Sequence, residues 1–114
     1  MKSDRMPKPD ERLRMSSVWA GGRVVVPVVG EVDHLTSARL GSELDTAVTS
    51  GAQCIEVDFR RVKFCDCSGV NALLGARRTA LEAGACLHLS GPLEPVVARL
   101  LQVMEAESSL LTAA

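Results

Sequence analysis

Cys54-Ile55-Glu56-Val57-Asp58-Phe59 alternates without a break: Ile55, Val57 and Phe59 fall on one side, Glu56 and Asp58 on the other. A two-residue period of this kind is a strand with one face turned to a core. The loop Phe64-Cys65-Asp66-Cys67-Ser68-Gly69 follows and feeds a helix in which Val70, Leu73, Leu74 and Leu81 share a face. Gly84 ends that helix, and Cys86 to Leu89 makes a short strand. Strand, helix and strand in this order form a crossover unit, which joins parallel neighbours with a right-handed turn.

The same logic extends in both directions. Upstream, Leu40, Leu44, Ala47 and Val48 lie at i, i+4, i+7 and i+8, a single helical stripe. Ser50-Gly51 closes this helix with Gly in the C′ role, and Asp33 or Thr36 stands where a cap belongs. Gly30-Glu31-Val32-Asp33 reads as the loop before it. Met15 to Ala20 and the Val-rich Arg23 to Val29 flank Gly21-Gly22 and read as a hairpin. Pro27 has no N–H to give a ladder and marks a sheet edge or a bulge. Downstream, Gly91-Pro92 opens a third helix with Leu93, Val96, Val97, Leu100, Leu101 and Met104 on one stripe. The order ββαβαβα predicts an α/β domain with a mixed, mostly parallel sheet and helices packed against it. Residues 1–14 carry Pro7, Pro9 and eight charges with no apolar period, and read as a flexible tail; residues 15–114 form one domain.

Composition narrows the function. The 114 residues are 46% hydrophobic and 24% charged, with 13 Lys and Arg against 14 Asp and Glu. A net charge of -1 does not suit a broad nucleic-acid surface, and three aromatic rings (Trp19, Phe59 and Phe64) are too few for a single-strand stacking platform. Residues 1–17 have no apolar core of a signal peptide, and the longest apolar runs are too short to cross a bilayer. The expectation is a cytoplasmic chain that meets neither membrane nor nucleic acid directly. In that compartment Cys54, Cys65, Cys67 and Cys86 are expected as free thiols. Their C-x-C spacing is not a zinc or dithiol motif, and His34 and His88 stand alone, so neither metal nor cofactor is expected.

No phosphate-binding glycine loop and no G-x-S-x-G elbow occurs. A nucleophile relay would set Ser68 or Cys67 beside His34 with Asp33 or Asp66 behind it; the simpler reading of His34 is a solvated loop residue. Asp33 and Asp66 each read as helix caps, yet both loops join an Asp to small residues. A hydroxyl at the helix start after Asp66 is a place where a phosphate would be tolerated by the helix and repelled by the carboxylate, which makes a switch without catalysis.

Gly30-Glu31-Val32-Asp33-His34-Leu35-Thr36-Ser37, followed by Asp66-Cys67-Ser68-Gly69-Val70 at a helix start, resembles the STAS-domain family of bacterial anti-sigma factor antagonists. The resemblance spans roughly Met15 to Met104. It implies a non-enzymatic domain, monomeric or weakly dimeric, that binds a serine-kinase anti-sigma factor and so frees a sigma factor to regulate transcription. It also implies a partner surface drawn from Asp33, His34, Thr36, Asp66, Cys67, Ser68, Gly69 and Asn71. The family places its phosphoacceptor Ser or Thr directly after the Asp. Cys67 occupies that place here, and the hydroxyl comes one residue later at Ser68, the candidate acceptor of this chain. Two other readings stand beside this one: a redox-responsive interaction domain of the same type, and a small Ser or Cys hydrolase.

Overall fold

The computed structural model describes residues 9–111. Gly21, at φ +64°, turns the chain between Val18–Ala20 (β2) and the long strand Arg23–Val32 (β3), and Ala20 pairs with Arg23 across the turn. A further short strand, Leu13–Met15 (β1), pairs with the other end of β3, Leu13 opposite Gly30. The first hairpin strand is thus broken at Ser16-Ser17, and both pieces run antiparallel along one edge of β3. Cys54–Cys65 (β4) pairs parallel with β3, and Cys86–Ser90 (β5) pairs parallel with β4. The expected mixed, mostly parallel sheet with packed helices is therefore present. Ser37–Thr49 (α2) and Cys67–Glu82 (α3) provide the crossovers and pack on each other.

The core is aliphatic with one aromatic. Val24, Val26, Val28 and Val32 of β3 meet Ile55, Val57, Phe59 and Val62 of β4 beneath Leu40 and Leu44 of α2 and Val70 and Leu73 of α3. Ala76 and Ala80 take the inward places along α3, whereas Leu81, expected on that face, is exposed. Pro95–Val103 (α4) buries Val97 and Leu101 and leaves Leu100 half-buried. Along the other side of the sheet, residues such as Val25, Glu56 and His88, which share one rung, are none of them buried.

Three departures from the sequence reading have physical causes. Pro9–Arg12 (α1) is a helical turn and Leu13 opens the sheet, so residues 9–14, read as part of a tail, carry regular structure; residues 1–8 lie outside the described residues. Leu13 is fully buried, but a single apolar residue among charges makes no period. The second departure is length. β3 and β4 run on through residues read as loops, because the register slips between Pro27 and Val29 and again between Gly30 and Glu31. Each slip inserts a residue into β4, so its buried positions go from Phe59 to Val62 to Cys65 and the alternation disappears. Pro27 marks a bulge on an interior strand and not an edge. Third, Cys54 and Cys86 are not free thiols. They open neighbouring strands in direct register, with Cα atoms 4.6 Å apart, and are joined as a disulfide; Cys65 and Cys67 remain free. A last turn, Glu107–Leu110 (α5), packs on α3 and β5 and buries Leu110.

Candidate functional site

β3 and β4 end side by side. Val32 pairs with Cys65, and the Asp66 N–H donates to the Val32 carbonyl at 3.0 Å. The next residue on each strand is an aspartate, so Asp33 and Asp66 leave neighbouring parallel strands at the same end of the sheet. That is where the functional loops of parallel sheets gather.

The first loop is tied by Asp33. Its Oδ1 accepts from the Leu35 and Thr36 N–H groups at 2.9 and 3.2 Å, and its carbonyl accepts from Thr36 and Ser37. Oδ2 accepts from Arg12 Nη1 at 2.5 Å, and the same guanidinium nitrogen reaches Glu31 Oε1 at 3.2 Å. The hydrogen bond from Arg12, helped by the Leu35 N–H, holds the Asp33 carboxyl below its ordinary range against the opposing effect of desolvation. Thr36 stands at the N-cap position of α2, but its hydroxyl does not cap the helix. It donates to the Glu31 carbonyl at 3.0 Å and accepts from the Asp33 N–H at 2.9 Å, fully buried.

The second loop is tied by Asp66, the N-cap of α3. Its Oδ1 accepts from the Ser68 and Gly69 N–H groups at 3.0 and 3.3 Å and from the Ser68 hydroxyl at 2.5 Å. These bonds satisfy donors that the start of a helix otherwise leaves open. Gly69 is buried at the crossing of helix and strand ends: a Cβ there would stand 2.6 Å from both Cys65 Sγ and Val32 Cγ1. Burial pushes the Cys65 thiol up to about 12, with the Asp66 and Cys67 charges adding to the effect, so Cys65 offers no thiolate near neutrality.

Asp33, His34, Asp66, Cys67 and Ser68 thus share one end of the molecule. His34, Cys67 and Asn71 are exposed; Asp33, Asp66 and Ser68 are half-buried. Thr36 and Gly69 are buried and brace the two loops from within. The Ser68 hydroxyl donates to Asp66 and not to His34. Among the described residues no group of three His, Cys, Asp or Glu is placed to hold a metal ion, and no helix is long and apolar enough to cross a membrane.

Three residues of this end escaped the sequence reading. Arg12 lay in the presumed tail, and only the fold brings it to Asp33. Leu35 and Phe64 are apolar residues of the two predicted loops, and they are 56% and 44% exposed.

Comparisons with known proteins agree with this geometry. No curated protein matches the chain. An anti-sigma factor antagonist from Mycobacterium paratuberculosis superposes with a TM-score of 0.77 at 17% identity, covering 90% of this chain and 86% of that one. The anti-sigma factor antagonist SpoIIAA in its unphosphorylated form gives 0.72 at 28% identity, covering 90% and 88%. The phosphorylated form of SpoIIAA, a Bacillus cell fate determinant, gives 0.62 at 26% identity, covering 90% and 91%. The family model described as "Mlab, STAS domain" matches residues 15–112, and with the paired loops on adjacent strand ends it shows that this chain belongs to the STAS domain family.

Proposed function

We propose that the protein is an anti-sigma factor antagonist that binds a serine-kinase anti-sigma factor through the end of the sheet carrying Asp33 and Asp66, and so releases a sigma factor. The reading is of a binding protein without catalysis, acting as a monomer or weak dimer. The observation that carries it is the Asp66-Cys67-Ser68 start of α3 seated beside the Asp33 turn, on a fold similar to antagonists solved in unphosphorylated and phosphorylated forms. Cys67 holds the exposed place that the family gives its phosphoacceptor, while the Ser68 hydroxyl is engaged with Asp66. In this reading the domain binds its kinase and accepts phosphate poorly, at Ser68. Titration calorimetry against the purified serine-kinase anti-sigma factors of the source organism is the test. Micromolar or tighter binding that Asp66→Ala weakens is expected, and absence of any binder among them overturns the proposal.

A second reading, redox control of the same interaction, is favoured by the bond between Cys54 and Cys86. It expects the affinity for that kinase to change when the bond is reduced, and equal affinities in both states dispose of it.

A further inference from the structure

The end of the strands opposite the two aspartates carries a second cluster. Ala20, Arg23, Cys54 and Cys86 share one rung across β2, β3, β4 and β5. Their side chains lie on the side of the sheet away from the core, since Val24, Ile55 and Leu87 of the next rung are buried on the other side. The Cys54–Cys86 bond is therefore on the open side of the sheet, with Cys86 exposed and Cys54 half-buried. Arg23 Nη2 stands 3.9 Å from Oε1 of Glu56, which shares its rung with His88 on the same side.

Backbone pairing holds these strands together without the bond. The Cys86 N–H donates to the Gln53 carbonyl at 3.1 Å, the Gln53 N–H donates to the Gly22 carbonyl at 2.7 Å, and the β4–β5 ladder continues to Asp58 and Ser90. A thiolate opens a disulfide by attacking one sulfur in line with the bond, and the other sulfur leaves. In line with Cys86 Sγ, the approach comes from beyond β5, the last strand of the sheet; in line with Cys54 Sγ, it passes over β3 and Arg23. A leaving thiolate is stabilised by a cation beside it, and Arg23 is the neighbour of Cys54 on its rung. The attacking thiol must come from outside the chain. Cys65 is buried with its thiol pushed up to about 12, and Cys67 lies past the far end of β4, on the order of 30 Å along the strand.

We infer that Cys54 and Cys86 form a reversible exchange site for a dithiol reductant, with Cys86 the attacked sulfur, Cys54 the leaving sulfur and Arg23 the residue that stabilises the leaving thiolate. The reductant's thiolate bonds to Cys86 Sγ as the Cys54–Cys86 bond breaks, and the bonding pair departs on Cys54 Sγ, which takes up a proton. The reductant's second thiolate attacks the reductant sulfur of this mixed disulfide and releases Cys86 Sγ, which is protonated in turn. The cysteine pair gains two electrons and two protons, and the dithiol loses both and becomes a disulfide. The reverse sequence, with an oxidised dithiol, remakes the bond. The inference rests on the redox reading given above and deepens it by naming the reaction and its residues.

The experiment follows reduction of the oxidised protein by dithiothreitol without denaturant, in a Cys67→Ser background, by acid quench, alkylation of free thiols and intact mass. A gain of two thiols is expected, at a rate proportional to dithiothreitol concentration and with far-UV circular dichroism unchanged. With glutathione, a monothiol, the trapped mixed disulfide is expected on Cys86, identified by peptide mass. Arg23→Gln is expected to slow reduction about threefold or more at low salt, and the difference is expected to shrink at high salt. Should Arg23→Gln lower Tm, Arg23→Lys decides, by reducing at the parent's rate. A rate that levels off as dithiothreitol rises overturns the inference, because the bond then opens only when the fold does. Glutathione found on Cys54 overturns the assigned direction, and an Arg23→Gln rate equal to the parent's overturns the role of Arg23. These measurements need no partner. Equal kinase affinities in the two redox states would remove the redox reading and leave the exchange site standing; an inert bond would remove the site and leave the antagonist function standing.

Discussion

Cys67 and Ser68 are neighbours in the chain with opposite surroundings. The Cys67 side chain stands in solvent at the start of α3, while the Ser68 hydroxyl is held by Asp66 at 2.5 Å. A kinase that reads the first residue after the aspartate meets a thiol. Incubation of the parent with the proposed partner kinase and ATP is expected to leave the intact mass unchanged. Cys67→Ser is expected to gain a single phosphate, and a stoichiometric gain in the parent that Ser68→Ala removes would show the acceptor to be Ser68. Asp33 has a different signature, in acid. Its folded carboxyl titrates below the ordinary 3.8 because Arg12 donates to it. The stabilisation is therefore complete above that value and is lost as pH falls further, where the unfolded chain takes up the proton first. Asp33→Asn is expected to flatten the acid limb of a stability curve below about pH 4 relative to the parent, measured by urea unfolding. The Asp66 cap was legible in the sequence because its donors are its near neighbours. The Arg12 partner of Asp33 was not, because an ion pair spanning 21 residues leaves no local pattern.

At the scale of elements, α4 and β4 show what periodicity can and cannot report. The stripe from Leu93 to Met104 predicts a packed helix, and Val97 and Leu101 are indeed buried. The stripe does not rank its members: Leu100 is half-buried beside the fully buried Leu101. Leu101→Ala is expected to cost about 2–5 kcal/mol and Leu100→Ala clearly less, read as the shift in denaturant midpoint at constant slope. Equal losses would mean that both sit in the core. In β4 the first six residues read as a strand and the last six did not, although all twelve pair with β3 or extend that ladder. The two bulges are the reason, since each one resets which parity faces inward. They also matter for the site, because they deliver Phe64 to the exposed side and Cys65 to the core just before Asp66.

For the molecule as a whole, the Cys54–Cys86 bond closes a loop spanning 32 positions at the opposite end of the strands from Asp33 and Asp66. On chain-entropy grounds, removing it with the double change Cys54→Ser and Cys86→Ser is expected to cost about 3–4 kcal/mol, measured by denaturant unfolding of the oxidised parent against the variant. A loss well under 1 kcal/mol would mean that the bond does not restrain the unfolded chain. The pairing illustrates how the two levels of information divide. By itself the sequence determined the parallel crossovers, the helix stripes, the Gly21-Gly22 turn and the two aspartate loops, because each is written in residues close together in the chain, where period, capping and turn chemistry act. Only the tertiary structure decided that Cys86 lies beside Cys54, that Arg12 reaches Asp33, that Gly69 must be bare against Val32 and Cys65, and that Leu35 and Phe64 face water at one end. Those relations depend on which strands become neighbours and in what register, and β-pairing sets both between segments whose separation along the chain carries no local signal.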